Sequence, residues 1–246
     1  MTKETVQQQL TTASNRSISI IIPTLNEAQN LPRTLTALQT IPSVELIVVD
    51  GGSVDDTVSV AKAWETKVMC SPVCGRANQM NLGAAMAQGD ILLFLHADTC
   101  LPDGFDDLVR QTLMQPKVIA GAFELAIDGQ TAGLRLVEWG VKLRSRFCQM
   151  PYGDQALFMS ADTFRAIGGF PPLPIMEDFE LVQRLKQRGR IAIVPEAVLT
   201  SGRRWQTLNV FRTTLINQCI IVGYLLGVSP ARLAVWYRHW GKRLAH

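Results

Sequence analysis

Acidic side chains, one histidine and one arginine stand at the ends of apolar runs in this chain, where tight turns can gather short polar groups. Asp98 follows Ile91-Leu92-Leu93-Phe94-Leu95-His96-Ala97. A carboxylate there can hold Mg2+ or Mn2+ against phosphate oxygens, with water filling the remaining positions. His96 is either a second ligand, which would tilt the preference toward Mn2+, or a hydrogen-bonding residue with no metal role. Gly75-Arg76-Ala77-Asn78-Gln79 places a cation at the opening of a helix, where free N–H groups already favour anions. Arg76 is therefore a candidate for a phosphate group, against the plainer reading of a solvated arginine. Glu177-Asp178 precedes the helical stretch 181–188. Adjacent carboxylates raise one another's pKa, which helps one of them take a proton from a hydroxyl near neutral pH. The plainer alternative is a pair of acids complementing a helix dipole.

These residues need elements to position them. Residues 18–22, 44–49 and 91–95 are short runs of Ile, Val and Leu closed by polar loops, which predicts strands. Helical patterns at 28–39, 56–65 and 76–87 alternate with them. Strands apolar on both faces and separated by helices imply a parallel sheet covered on both sides. Ligands then bind beyond the carboxyl ends of the strands, where Pro23-Thr24-Leu25-Asn26-Glu27, Asp50-Gly51-Gly52-Ser53 and His96-Ala97-Asp98 all fall. The two glycines after Asp50 permit a tight turn, and Ser53 and Asp55 can cap the next helix. Beyond residue 118 the pattern is less regular, with strands expected at 118–127, 156–160 and 191–194 and a mixed stretch at 134–147. From Leu208, apolar residues recur at steps of three and four through Leu226, the pattern of an amphipathic helix, and Pro230 opens another.

Together these clusters resemble a known family. Ile20-Ile21-Ile22-Pro23-Thr24-Leu25-Asn26-Glu27, the segment from Asp50, the Gly75–Ala85 segment, Gly89 to Thr99 and Met176-Glu177-Asp178-Phe179-Glu180-Leu181 are similar to the motifs of family-2 glycosyltransferases of the GT-A fold. The resemblance covers most of residues 17–205 and is greatest to the short, single-domain bacterial type found in radical-SAM and selenodomain gene neighbourhoods. It implies an α/β fold with a mostly parallel central sheet and a C-terminal helical appendage. It also implies an inverting enzyme that moves a sugar from a nucleotide diphosphate donor to an acceptor hydroxyl with Mn2+ or Mg2+.

By the same resemblance, Pro23, Thr24, Asn26, Glu27, Asp50, Gly52 and Ser53 belong to the nucleotide-sugar site, with Glu27 toward the base and ribose and Asp50 on the base. Gly75, Arg76 and Gln79 belong to the same site, Arg76 toward the diphosphate. His96-Ala97-Asp98 stands where the family carries a metal-binding D-x-D motif, and with His96 in the first position only Asp98 carries the metal role over directly. Asp178 is the implied general base beside Glu177, and Asp154 in Gly153-Asp154-Gln155 approaches the acceptor. Arg204 and Trp205 in Ser201-Gly202-Arg203-Arg204-Trp205 close over the diphosphate. The glutamine that accompanies Arg-Trp in processive members is absent, so polymer synthesis is not expected.

Composition sets the outer limits. With 246 residues, 47% of them hydrophobic, the chain suits one α/β domain. Expected boundaries are a disordered tail at 1–16, a nucleotide-binding half at 17–100, an acceptor half at 101–205 and basic amphipathic helices at 206–246. The net charge of +3 conceals seven Arg or Lys and no Asp or Glu after residue 200. That basic end suggests an anionic membrane surface as partner, or else a helical pair packed on the domain or on a second subunit. The polar N-terminus lacks a signal-peptide pattern, and the apolar run 219–228 is shorter than the ~20 residues a spanning helix needs. A cytoplasmic protein peripheral to the inner face of the plasma membrane is expected. The five cysteines form no CxxC pair, which fits reduced thiols. No GxGxxG follows the first strand, as a dinucleotide oxidoreductase requires, and Asn26-Glu27 occupies the place of a nucleotidyltransferase's Gly-rich basic loop. No nucleic-acid partner is expected, and the acceptor is a small molecule or a lipid. A catalytically idle, membrane-docking relative is the remaining alternative, against which the joint presence of Asp98 and Asp178 argues.

Overall fold

The computed structural model describes residues 16–39, 41, 44–64, 66–203, 205 and 210–243. All of the expected N-terminal tail but Arg16 lies outside them. Three strands, β1 (Ile18–Thr24), β2 (Val44–Asp50) and β4 (Ile91–Phe94), are the apolar runs read from the sequence. β1 is buried along almost its whole length and pairs in parallel with both β2 and β4. A fourth strand, β3 (Lys67–Cys70), pairs in parallel with β2. It is short and partly exposed, so its sequence carries no apolar run to announce it.

Beyond β4 the sheet changes character. β7 (Phe158–Ser160) is antiparallel to β4 and to β6 (Val118–Ile127), while β8 (Arg190–Thr200) runs parallel to β6. The two-residue β5 (Thr99–Cys100) closes the far edge antiparallel to β8. The eight-stranded order is β3-β2-β1-β4-β7-β6-β8-β5, with four parallel and three antiparallel pairings.

Helices cover both faces. α1 (Leu31–Thr36), α2 (Thr57–Lys62) and α4 (Phe105–Leu113) pack on one side through Leu31, Leu35, Ala61, Phe105 and Val109. α3 (Arg76–Met86) covers the other, joined there by α6 (Ala161–Ala166), α7 (Glu177–Lys186), α8 (Val210–Leu225) and α9 (Pro230–Arg243). α5 (Ala132–Cys148) is one continuous helix where the sequence pattern is mixed. Its Leu136, Trp139 and Phe147 are exposed, which blurs the apolar stripe. β8 runs six residues past the expected strand end. Val194 pairs with Phe123 but Ala197 with Glu124, so Pro195 and Glu196 bulge out of the ladder, and a proline is tolerated there because it cannot donate.

The α8–α9 pair packs on the α/β body. Ile216, Ile220 and Leu233 join the same core layer as α3 and α7. Tyr224 Oη donates to Glu180 Oε2 at 2.9 Å, and its ring meets Phe179 edge-on at 5.5 Å.

Close approach of β6 and β7 depends on Gly121. A Cβ there would lie 2.3 Å from Cζ of the buried Phe158. Gly121→Ala should destabilise the fold by about 1–3 kcal/mol through overpacking, measured by urea denaturation, and Phe158→Leu in the same chain should recover part of that loss.

Candidate active site

The ends of the parallel strands open into a cavity of about 830 Å³. α3 contributes Gly75 and Arg76, the segment after β4 His96 and Asp98, the turn before β7 Asp154, and α7 Glu177 and Asp178. Arg203 and Trp205 enter from the segment after β8, and α8 and α9 supply a roof that includes Asn217, Ile220 and Tyr237.

Arg76 sits at the centre. Its Nε donates to Glu177 Oε1 at 2.5 Å, Nη2 lies 3.9 Å from Asp178 Oδ2, and Nη1 is 3.3 Å from His96 Nε2. Burial works against its charge, but Glu177 and then Asp178 outweigh it and hold the guanidinium more firmly protonated than usual. Glu177 is 3% exposed, whereas 40% of the Arg76 side chain is open. Burial, followed by the Arg76 charge, pushes His96 down to about 3. The imidazole is therefore neutral, and Nε2 can accept from Arg76.

The acidic pair lies in the first turn of α7 rather than ahead of it, and its members face different partners. Asp178 Oδ2 accepts from Gly153 N at 2.9 Å and Oδ1 from Phe179 N at 2.8 Å. The approach is close because position 153 has no side chain: a Cβ would stand 3.2 Å from Asp178 Oδ2 and 3.3 Å from His96 Nε2. Next to it, Asp154 carries a buried Oδ1 that finds no hydrogen-bond partner among the described residues, and neither does the buried Trp205 Nε1. Burial raises the Asp154 carboxyl above its ordinary value, Arg144 opposes this, and the Asp178 charge adds to it.

The residues from the ends of β1 and β2 form an adjoining, hydrogen-bonded crevice rather than the cavity wall. Asp50 is 2% exposed, and its carboxylate accepts from Gly52 N, Ser53 N and Ser53 Oγ, so it builds its own turn. Gly52 adopts φ +99°, which a side chain would strain. Asn26 joins the two loops, donating from its N to Ser53 Oγ and accepting from Val54 N. Gln79 Nε2 donates to Thr24 O and Val49 O, both at 2.8 Å, pinning α3 to both strand ends. Pro23 is half-buried. Ala97 is buried and its carbonyl accepts from Thr34 Oγ1, so it serves the packing behind Asp98.

Arg203 links crevice and cavity: its Nη2 donates to Glu27 Oε1 at 3.1 Å and lies 4.0 Å from Asp98 Oδ2. The sequence reading favoured Arg204, which lies outside the described residues. The part played by Arg203 is not marked in the sequence, because Glu27 lies 176 positions away. The roof from α8 and α9 was also missed.

A family model described as "Glycosyl transferase family 2" matches residues 19–164. The chain belongs to this family. A PGL/p-HBAD biosynthesis glycosyltransferase of Mycobacterium bovis is 40% identical over 100 residues, which cover 37% of this chain and 39% of that protein. An uncharacterized glycosyltransferase of Rickettsia typhi is 35% identical over 95 residues, 39% of this chain and 32% of that protein. The matches thus span about two fifths or less of the length of these family members. Among solved structures, S. aureus TarS residues 1–349 superpose with a TM-score of 0.63 at 17% identity, over 80% of this chain and 64% of that one. The same protein in complex with UDP-GlcNAc gives 0.62 at 17% identity, over 75% and 58%. That likeness shows the GT-A fold.

GT-A glycosyltransferases of family 2 commonly use a divalent metal. Among the described residues no three His, Cys, Asp or Glu side chains converge on one point, and His96 Nε2 is turned to Arg76. Burial raises the Asp98 carboxyl, and the charge of Glu27 raises it further. Asp98, a single carboxylate lining the cavity with Glu27 near it, fits a cation that takes most of its ligands from a diphosphate and water, not a preformed protein cage.

The Arg76–Glu177 pair can be tested apart from chemistry. Arg76→Met strands a carboxylate that is 3% exposed and should cost about 3 kcal/mol in urea denaturation. Pairing it with Glu177→Met should restore most of that stability, because apolar groups replace both buried charges.

Proposed function

We propose that this chain transfers a sugar from a nucleotide diphosphate donor to an acceptor hydroxyl with inversion at the anomeric carbon. The observation that carries the reading is the convergence of Arg76, Asp98 and Asp178 on one cavity at the strand ends. Family membership and the UDP-GlcNAc complex of TarS support the donor class.

In this reading the crevice of Pro23, Thr24, Asn26, Glu27, Asp50, Gly52 and Ser53 receives the nucleoside, with Gln79 and Ala97 holding its walls. Gly75, His96, Arg204 and Trp205 complete the donor site around the diphosphate. Asp98 would hold Mn2+ or Mg2+, a cation that would supply positive charge to offset that of the leaving nucleoside diphosphate. Arg76 keeps its outer nitrogens toward the cavity while Glu177 fixes its inner edge. Asp178, oriented by Gly153 N, accepts the acceptor's hydroxyl proton as that oxygen bonds to the anomeric carbon and the bond to phosphate breaks. Asp154 serves the acceptor, a hydroxyl-bearing small molecule or lipid.

The C-terminal helices support a peripheral contact with an anionic membrane. Phe211, Leu215, Val222 and Leu226 are exposed on α8 and the turn that follows it, in a region without acidic residues. Among the described residues no helix is long and apolar enough to cross a membrane. Co-sedimentation with anionic liposomes should be strong at low salt and fall steeply as salt rises; no binding at low salt would dismiss this contact.

Calorimetric titration with UDP, GDP and a panel of nucleotide sugars, with and without Mn2+, tests the central proposal. One donor should bind with metal dependence, and Asp98→Ala should remove that dependence together with nearly all turnover. Asp178→Asn should keep donor affinity and lower kcat by about 10²–10⁴-fold. Wild-type turnover in Asp178→Asn would exclude Asp178 as the base.

A further inference from the structure

The cavity has two unlike walls. One is polar and holds Arg76, His96, Asp98, Asp154, Glu177 and Asp178. The other is mainly apolar: Leu173, Pro174 and Ile175 from the loop between α6 and α7, Ile220 and Ile221 from α8, and Ala234 from α9, with Asn217, Tyr237 and Arg238 of the same helices beside them. Every residue of this second wall lies outside residues 19–164, the part that matches the family model. Of the polar wall, Arg76, His96, Asp98 and Asp154 lie within that part, and Glu177 and Asp178 lie beyond it with the apolar wall.

The apolar wall is fixed to the base. Tyr224 ties α8 to Glu180 on α7, and α7 begins with Glu177 and Asp178. On the polar side, Asp154 follows Gly153, whose N–H holds Asp178, so two carboxylates flank one point of the chain. The one on Asp178 is hydrogen-bonded, while Asp154 keeps a buried oxygen unpaired. An unpaired buried acceptor is costly, and one in a folded protein calls for an explanation, of which completion by a bound molecule is one.

Resting on the sugar-transfer reading, we propose that the acceptor is an amphiphile: a polyol head with one hydroxyl at Asp178 and a neighbouring hydroxyl donated to Asp154, and an apolar body lying against Leu173, Ile175, Ile220 and Ile221. A free sugar would leave the apolar wall wet, and a plain alcohol would leave Asp154 unpaired.

Butyl, hexyl and octyl glucoside, each below its micellar concentration, are the probes, titrated calorimetrically into the full chain beside UDP as a control for the donor site. Affinity should rise by about three- to fourfold per added methylene, and Ile221→Ser should flatten that rise while UDP still binds. Asp154→Leu should weaken octyl glucoside by about tenfold or more and raise Tm, since it removes an unpaired buried carboxylate. A residue with a merely structural role would lower Tm when replaced. Equal affinity for all three glucosides in a chain that binds UDP would overturn the amphiphilic acceptor and leave sugar transfer standing. Asp154→Leu with a lowered Tm and unchanged octyl glucoside affinity would overturn the Asp154 assignment. A chain that binds neither UDP nor any nucleotide sugar would overturn sugar transfer and the acceptor assignment with it.

Discussion

The ion pair between Arg76 and Glu177 joins residues 101 positions apart and sets the geometry of everything around it. A carboxylate as buried as Glu177 needs a partner, and Arg76 supplies it by bringing the start of α3 against the start of α7. Once that contact is made, Asp178 follows in the same helical turn, His96 comes within reach of the guanidinium, and Gly153 closes against both. Such pairs add little net stability, because desolvation offsets most of the attraction. The effect here is one of placement: two halves of the chain with separate sheet segments are held in one relation.

The sheet makes that relation possible. Its parallel part leaves β1, β2 and β4 ending on the same side, so the loops that follow them crowd together. The reversed strand β7 then carries the chain back beside β4, with the Gly153–Gln155 turn just ahead of it. Gln155 anchors this turn from inside. It is fully buried, donates to Phe123 O and accepts from Ser145 Oγ and Tyr152 N. A polar side chain so fully engaged fixes the backbone on which Asp154 and Gly153 are displayed.

Much of this was legible in the sequence, for identifiable reasons. Strands buried on both faces must be apolar throughout, so β1, β2 and β4 stand out, and the polar residues closing them mark the site. The bulge at Pro195 and Glu196 hid the second half of β8, and the exposed Leu136, Trp139 and Phe147 hid α5. Side-chain partners were harder to read than side-chain types. Nothing near Glu177 in sequence reveals that it neutralises Arg76, and nothing near Asp50 shows how completely its carboxylate is engaged by its own turn. Arg203 meets Glu27 across 176 positions of sequence, a contact that nothing near either residue announces.

The anchoring of α8 to α7 through Tyr224 and Glu180 has a mechanical consequence. Asp178 and Glu180, the residue to which the roof is fastened, share the first turn of α7. If Asp178 is the base proposed above, whatever leans on that roof would also bear on the carboxylate, so that holding the far part of a substrate and setting up proton removal would become a single act. Binding energy from atoms remote from the reacting bond would then appear as speed rather than as tightness, and a substrate cut short would turn over slowly even when it saturates the protein.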